Sequence, residues 1–128
     1  MLNLEDTETY LLVLEVAGPY GVDPSSSLEA EDFFNRLLAT YAGVLEPEVV
    51  ASWLDGQIAR AFTAIGDYPR WIQSSAWPFD QGEPLIFIAQ IDLAVTDYAA
   101  LAHIFHDDTS LYLFLKRNGE FEIVTQQY

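Results

Sequence analysis

Leu111 to Gln126 reads LYLFLKRNGEFEIVTQ, and the reading of this stretch decides the fold. Two runs suited to a pleated strand flank Asn118-Gly119, the strongest short signal for a β-hairpin, because a type I′ turn needs positive φ at both central positions. The expected register pairs Arg117 with Glu120, Lys116 with Phe121 and Phe114 with Ile123. It places an opposite-charge pair and an apolar pair across the strands. An antiparallel sheet is therefore the starting expectation, and the remaining chain must supply its partners and cover.

Working back from the hairpin, Leu85 to Leu93 reads LIFIAQIDL, apolar on both faces except for Gln90 and Asp92, as in a central strand. Thr9 to Val16 reads TYLLVLEV and is taken as a further strand, over about 9–17. Between them lie two helical patterns. Ser26, three positions before Glu29, matches a capping box and opens a segment carrying Leu28, Phe33, Phe34, Leu37, Leu38 and Tyr41. Pro47 opens a second, with the apolar stripe Val49, Val50, Trp53, Leu54, Ile58, Ala61, Phe62 and Ile65, which runs to Gly66. Residues 66–84, with Pro69, Pro78, Gly82 and Pro84, read as a long irregular segment. Thr96 caps a short helical pattern through Phe105. The expected fold is α+β: one domain, with an antiparallel-rich sheet of about four strands (about 9–17, 85–93, 111–117 and 120–126) and a two-helix hairpin on one face.

The chain has 128 residues, with 20 Asp and Glu against 5 Lys and Arg, a formal net charge of -15. Yet 51% of it is hydrophobic, which separates it from disordered acidic chains. Binding to duplex nucleic acid is disfavoured, since that affinity comes from cations neutralising phosphates. With no cysteine there is no disulfide framework, thiolate metal site or cysteine nucleophile. The acidic start Met1-Leu2-Asn3-Leu4-Glu5-Asp6 lacks the basic region of a signal peptide, and no apolar run is long enough to cross a bilayer, so a cytoplasmic protein with no membrane partner is expected.

The blocks IGDYPRWIQ (Ile65–Gln73), Trp77-Pro78, Gly82, PLIFIAQIDL (Pro84–Leu93) and LYLFL (Leu111–Leu115) resemble the YwqG-like family of uncharacterised bacterial proteins, in that order and spacing. The resemblance covers about residues 65–115. Asp67 stands where the family usually has a second glycine, and residues 1 to about 60 lie outside it. It implies an α+β domain with PLIFIAQIDL as a sheet strand, and an association with toxin–immunity loci. It carries over no catalytic residue.

Candidate chemistry falls in three places. His103 and His106, followed by Asp107 and Asp108, have the spacing of a metal pair on one helix face, or of a helix C-terminus that favours cations; no metal or cofactor is expected from so short a cluster. Arg70, Trp71, Gln73 and Trp77, with Gln90 and Asp92 of the apolar strand, combine aromatic faces and hydrogen-bonding groups. They suit a small-ligand or peptide groove, or else they anchor the irregular segment to the core. Glu29, Glu31, Asp32, Glu46, Glu48 and Asp55 lie off the apolar stripes of the two helices and form an acidic surface. Residues 1–59 hold eleven acids and one base, so the negative charge concentrates in the helical half. No nucleophile elbow, phosphate loop or dinucleotide fingerprint is present. The expected function is that of a non-enzymatic interaction protein, an immunity-type inhibitor meeting a basic partner through the acidic helices, with a ligand-binding module as the alternative and a monomer or homodimer as the working form.

Overall fold

The computed structural model describes residues 2–93 and 109–127. The fold is α+β, with helices α1 (Thr7–Ala17), α2 (Leu28–Ala39) and α3 (Pro47–Ala61), a short 3-10 turn at Gly18–Tyr20, a two-residue ribbon β1 (Phe79–Asp80) with β2 (Glu83–Pro84), and an antiparallel sheet in the order β3 (Ile86–Asp92), β4 (Thr109–Leu115), β5 (Phe121–Gln127). No helix among the described residues is long and apolar enough to cross a membrane. The helical pattern at 96–105 lies outside the described residues.

The stretch expected as the first strand is a helix, which corrects the reading of 9–17. Its apolar residues satisfy either period, but Leu11, Leu12 and Leu14 are good helix formers, and Asp6 supplies the cap: its carboxylate accepts from the Thr9 amide (3.1 Å) and hydroxyl (2.7 Å). Thr9, Val13 and Ala17, at helical spacing, become the buried face. α3 packs chiefly along α1. The cap of α2 is Ser27, accepting from the Ala30 amide at 3.0 Å, one residue after the expected Ser26. α3 stops at Ala61 rather than at Gly66. There Phe62 turns fully inward, and residues 63–65 run beside β3, where the Phe87 amide donates to Thr63 O and the Ile65 amide to Phe87 O, both at 2.9 Å.

Phe62 and Trp77 join the layers. Phe62 stacks on Phe34 of α2 at 5.7 Å and meets Trp77 edge-on at 5.2 Å; Trp77 in turn meets Phe114 at 5.4 Å and Phe87 at 6.1 Å. One buried cluster therefore runs from the helices through these two rings to the inner face of the sheet.

Two local irregularities set which residues make that inner face. In β3 the register slips between Phe87 and Ala89, so Ile88 is a bulge. Without it, Phe87 and Gln90 would face opposite ways. With it, Phe87, Gln90 and Asp92 all point inward, opposite Phe114, Tyr112 and Ser110, while Ile86 faces outward. Gln90 and Asp92 thus do not share a face with Ile86, as strict alternation would give. In the hairpin, Arg117-Asn118-Gly119 form a three-residue loop with Gly119 at φ 95, not a two-residue type I′ turn. The register moves by one: Leu115 faces Phe121, Phe114 faces Glu122 and Leu113 faces Ile123. A one-residue shift exchanges the faces. Val124 and Gln126 point inward, and Phe121 and Ile123 stand 65% and 57% exposed on the outside.

Gly56 lies inside α3, and a methyl group there would meet nothing within 4 Å. Gly56→Ala is expected to raise stability by about 0.5–1 kcal/mol, read from the urea midpoint at unchanged m-value.

Candidate functional site

The irregular segment 66–84 is fastened to the inner face of the sheet by polar side chains. Gln90 brackets Arg70, its Oε1 accepting from the Arg70 amide (2.8 Å) and its Nε2 donating to the Arg70 carbonyl (3.1 Å). The Tyr112 hydroxyl donates to the same carbonyl (3.0 Å) and accepts from the Ile72 amide (3.2 Å). Gln126, almost fully buried, accepts from the amides of Ile72 and Gln73 (both 3.0 Å) and donates to Ser74 O (2.7 Å). Gln73 Nε2 donates to Gln127 O (3.1 Å). The indole of Trp71 lies over Tyr112 with centroids 4.4 Å apart and donates to Gly21 O (2.7 Å); the buried Trp77 indole donates to Leu85 O (2.9 Å). Gly21, at φ 74, can have no Cβ, since one would sit 2.9 Å from Pro69 O.

Asp92 completes this region. Its carboxylate accepts from Ser110 Oγ and Gln90 Nε2, and Arg70 Nη2 lies 3.7 Å from it. The Ser110 hydroxyl bond, with those of Gln90 and the Arg70 charge, holds its pKa below the ordinary carboxylate value against the opposing effect of partial burial. Six of the ligand-groove candidates, Arg70, Trp71, Gln73, Trp77, Gln90 and Asp92, thus bond to the chain itself. Trp77 borders one hollow, with Ser26, Ser27 and Phe79, and Arg70 and Gln90 border another, with Asp67 and Tyr68. Gln126 and Tyr112, which sequence reading passed over, carry the densest bonding. The glutamine at an inward position of an apolar hairpin was the available sign, but the expected register hid it.

The acidic surface divides. Glu29, Glu31 and Asp32 are exposed on α2, and Glu46 at the start of α3. Glu48 and Asp55 instead rim a groove between α1 and α3, together with Asp6, Glu8 and Glu15, which sequence reading missed because a strand would have set them on different faces. As a helix, α1 brings Glu8, Leu12 and Glu15 onto one side. The floor is Leu12, Val16, Leu45, Pro47, Val50 and Ala51, in two adjoining hollows of about 400 and 520 Å³. Asp55 is steadied by the Tyr20 hydroxyl at 2.7 Å, a bond that pushes the tyrosine pKa up to about 12.

Four of the five bases are engaged elsewhere, and the fifth, Arg60, is in the last turn of α3. Arg36 donates to Gly82 O, Arg117 to Pro84 O, Arg70 faces Asp92, and Lys116 faces Glu120 at 3.9 Å. Among the described residues no cation pairs with an acid of the groove. His103, His106, Asp107 and Asp108 lie outside the described residues, and within those residues no group of three His, Asp or Glu is placed to hold a metal. No family model matches the chain, and no curated protein or solved structure matches it.

Gln126→Leu takes the partner from the Gln73 amide and the Ser74 carbonyl, while the Ile72 amide keeps the Tyr112 hydroxyl, and is expected to cost about 2–3 kcal/mol in chemical denaturation. Asp92→Asn removes a charge that the fold favours. Because the folded pKa lies below the unfolded 3.8, the wild type should be the more stable above about pH 4, and the difference should vanish as pH falls through the folded value, in thermal melts across pH 2–7.

Proposed function

We propose that this chain is a non-enzymatic interaction protein, of the immunity-inhibitor type, whose acidic helical half receives a basic segment of a partner protein in the groove between α1 and α3. The observation that carries this reading is an apolar floor rimmed by five carboxylates from two helices, with no internal cation beside them among the described residues. A groove between two helices suits an amphipathic third helix. Leu12, Val16 and Val50 offer its apolar face a seat, and Asp6, Glu8, Glu15, Glu48 and Asp55 offer its Lys and Arg residues opposite charge on both sides. Leu45 of that floor is itself exposed, as are Leu11 of α1 and Val49 of α3. The resemblance of residues 65–115 is to a family of which some members look like components of toxin–immunity loci. The carboxylates inhibit by occupying a cationic surface, which requires no reaction step of this chain.

The test is an NMR titration with a synthetic Lys/Leu amphipathic helix, beside a scrambled peptide of equal charge. Expected are shifts centred on Leu12, Glu15, Val16 and Ala51, preference for the amphipathic peptide, and affinity falling about tenfold between about 50 and 300 mM salt. Glu8→Lys, Glu15→Lys and Glu48→Lys together should weaken binding at least as much, whereas Glu31→Lys should leave it within about twofold. Shifts centred on α2, or equal binding of the scrambled peptide, would sink the reading.

A further inference from the structure

The sheet has two lateral edges, and among the described residues only one is covered. Residues 63–65 lie along β3, bonded through Phe87. Along β5 the hairpin determines which groups face out. The Lys116 amide donates to Glu120 O at 2.7 Å, and antiparallel bonding alternates from there, so Glu122, Val124 and Gln126 bond toward β4. The amides and carbonyls of Phe121, Ile123, Thr125 and Gln127 therefore face outward. Gln73 takes the Gln127 carbonyl. Among the described residues those of Phe121, Ile123 and Thr125 have no partner. The open stretch has no proline, no lysine and no bulge; its one guard is the inward-facing Glu122, and it carries two exposed apolar side chains.

We propose that Phe121–Thr125 pairs with the same stretch of a second copy, antiparallel about a two-fold axis at Ile123. The edge complements itself in that arrangement. Ile123 faces the second copy's Ile123, Phe121 faces its Thr125, and every outward amide finds an outward carbonyl. Glu122, the one charge within the stretch, lies opposite Val124 of the second copy, so no like charges meet even though each chain carries -15. Phe121 and Ile123 of both copies form one apolar strip on the outer face, continuous with Leu113 and Leu115. A strand from another protein would need this alternation and register by chance, whereas a second copy brings both. The interface is small, so the dimer is weak, with a dissociation constant of about 10 μM or higher.

Sedimentation equilibrium tests this. The weight-average mass should rise from one chain to two with concentration, and the dimer should tighten as salt screens the net repulsion, opposite in sign to binding in the acidic groove. Ile123→Lys sets two ammonium groups across the axis and should weaken the dimer at least about tenfold. Thr125→Pro removes an outward amide while sparing the bonds to β4, and should do the same, with far-UV spectra confirming that both variants fold. Leu11→Lys, exposed on α1, should leave the dimer intact. A wild type that stays monomeric to about 1 mM at low and high salt overturns the proposal. A dimer that survives Ile123→Lys and Thr125→Pro, or that Leu11→Lys dissolves, does so too. Either result leaves the groove reading standing.

Discussion

A chain segment as long as 66–84, with almost no secondary structure of its own, must find partners for its main-chain polar groups elsewhere. Here they come from a row of side chains on the inner face of the sheet: Gln90, Tyr112 and Gln126, with Asp92 and Ser110 behind them. The rest of the molecule depends on that row. It holds Trp71 against the sheet, and Trp71 and Ser75 in turn tie the segment to Gly21, just past the 3-10 turn that follows α1. The row exists because Ile88 is a bulge. A regular β3 would have spent one of its faces on Phe87 and aimed Gln90 at the other.

Much of this was legible in the chain. The α+β class, the two helices opening near Leu28 and Pro47, the irregular middle segment and a C-terminal hairpin follow from apolar periodicity and from Gly and Pro placement, although the periodicity carries the second helix on to Gly66, past its end at Ala61. What misled was local and of one kind: short apolar runs and turns where two geometries fit the same residues. TYLLVLEV satisfies a strand as well as a buried helix, and only Asp6 and Thr9 at the cap distinguish them. Asn-Gly fits a two-residue loop, yet the third residue, Arg117, enters the loop and exchanges the faces of β5. The candidate residues at 70–77, 90 and 92 were found by type, but their bonds run inward to the chain. The acidic groove could not be seen while α1 was read as a strand.

Charge is distributed with consequence for solution behaviour. Arg36, Arg70, Lys116 and Arg117 are engaged near the sheet and its loops, while the α1 and α3 carboxylates rim a groove that holds no base among the described residues. The outward strip of β5, Phe121 with Ile123, is by contrast apolar. Salt acts on two such surfaces in opposite directions: it screens the attraction of carboxylates for cations and strengthens the burial of apolar side chains.

Because the segment 70–74 is held by side chains and not by a ladder of main-chain bonds, it belongs to a different cooperative unit from the helices and the sheet. Its contacts join residues 20 to 54 positions apart in sequence, so each closes a long loop. They are also the contacts whose release leaves every helix and strand intact. Releasing them would part Trp71 from Tyr112, whereas Trp77 is packed between Phe62 and Phe114 in the core. The two indoles report on different events, one on the seating of a loop and the other on the fold itself.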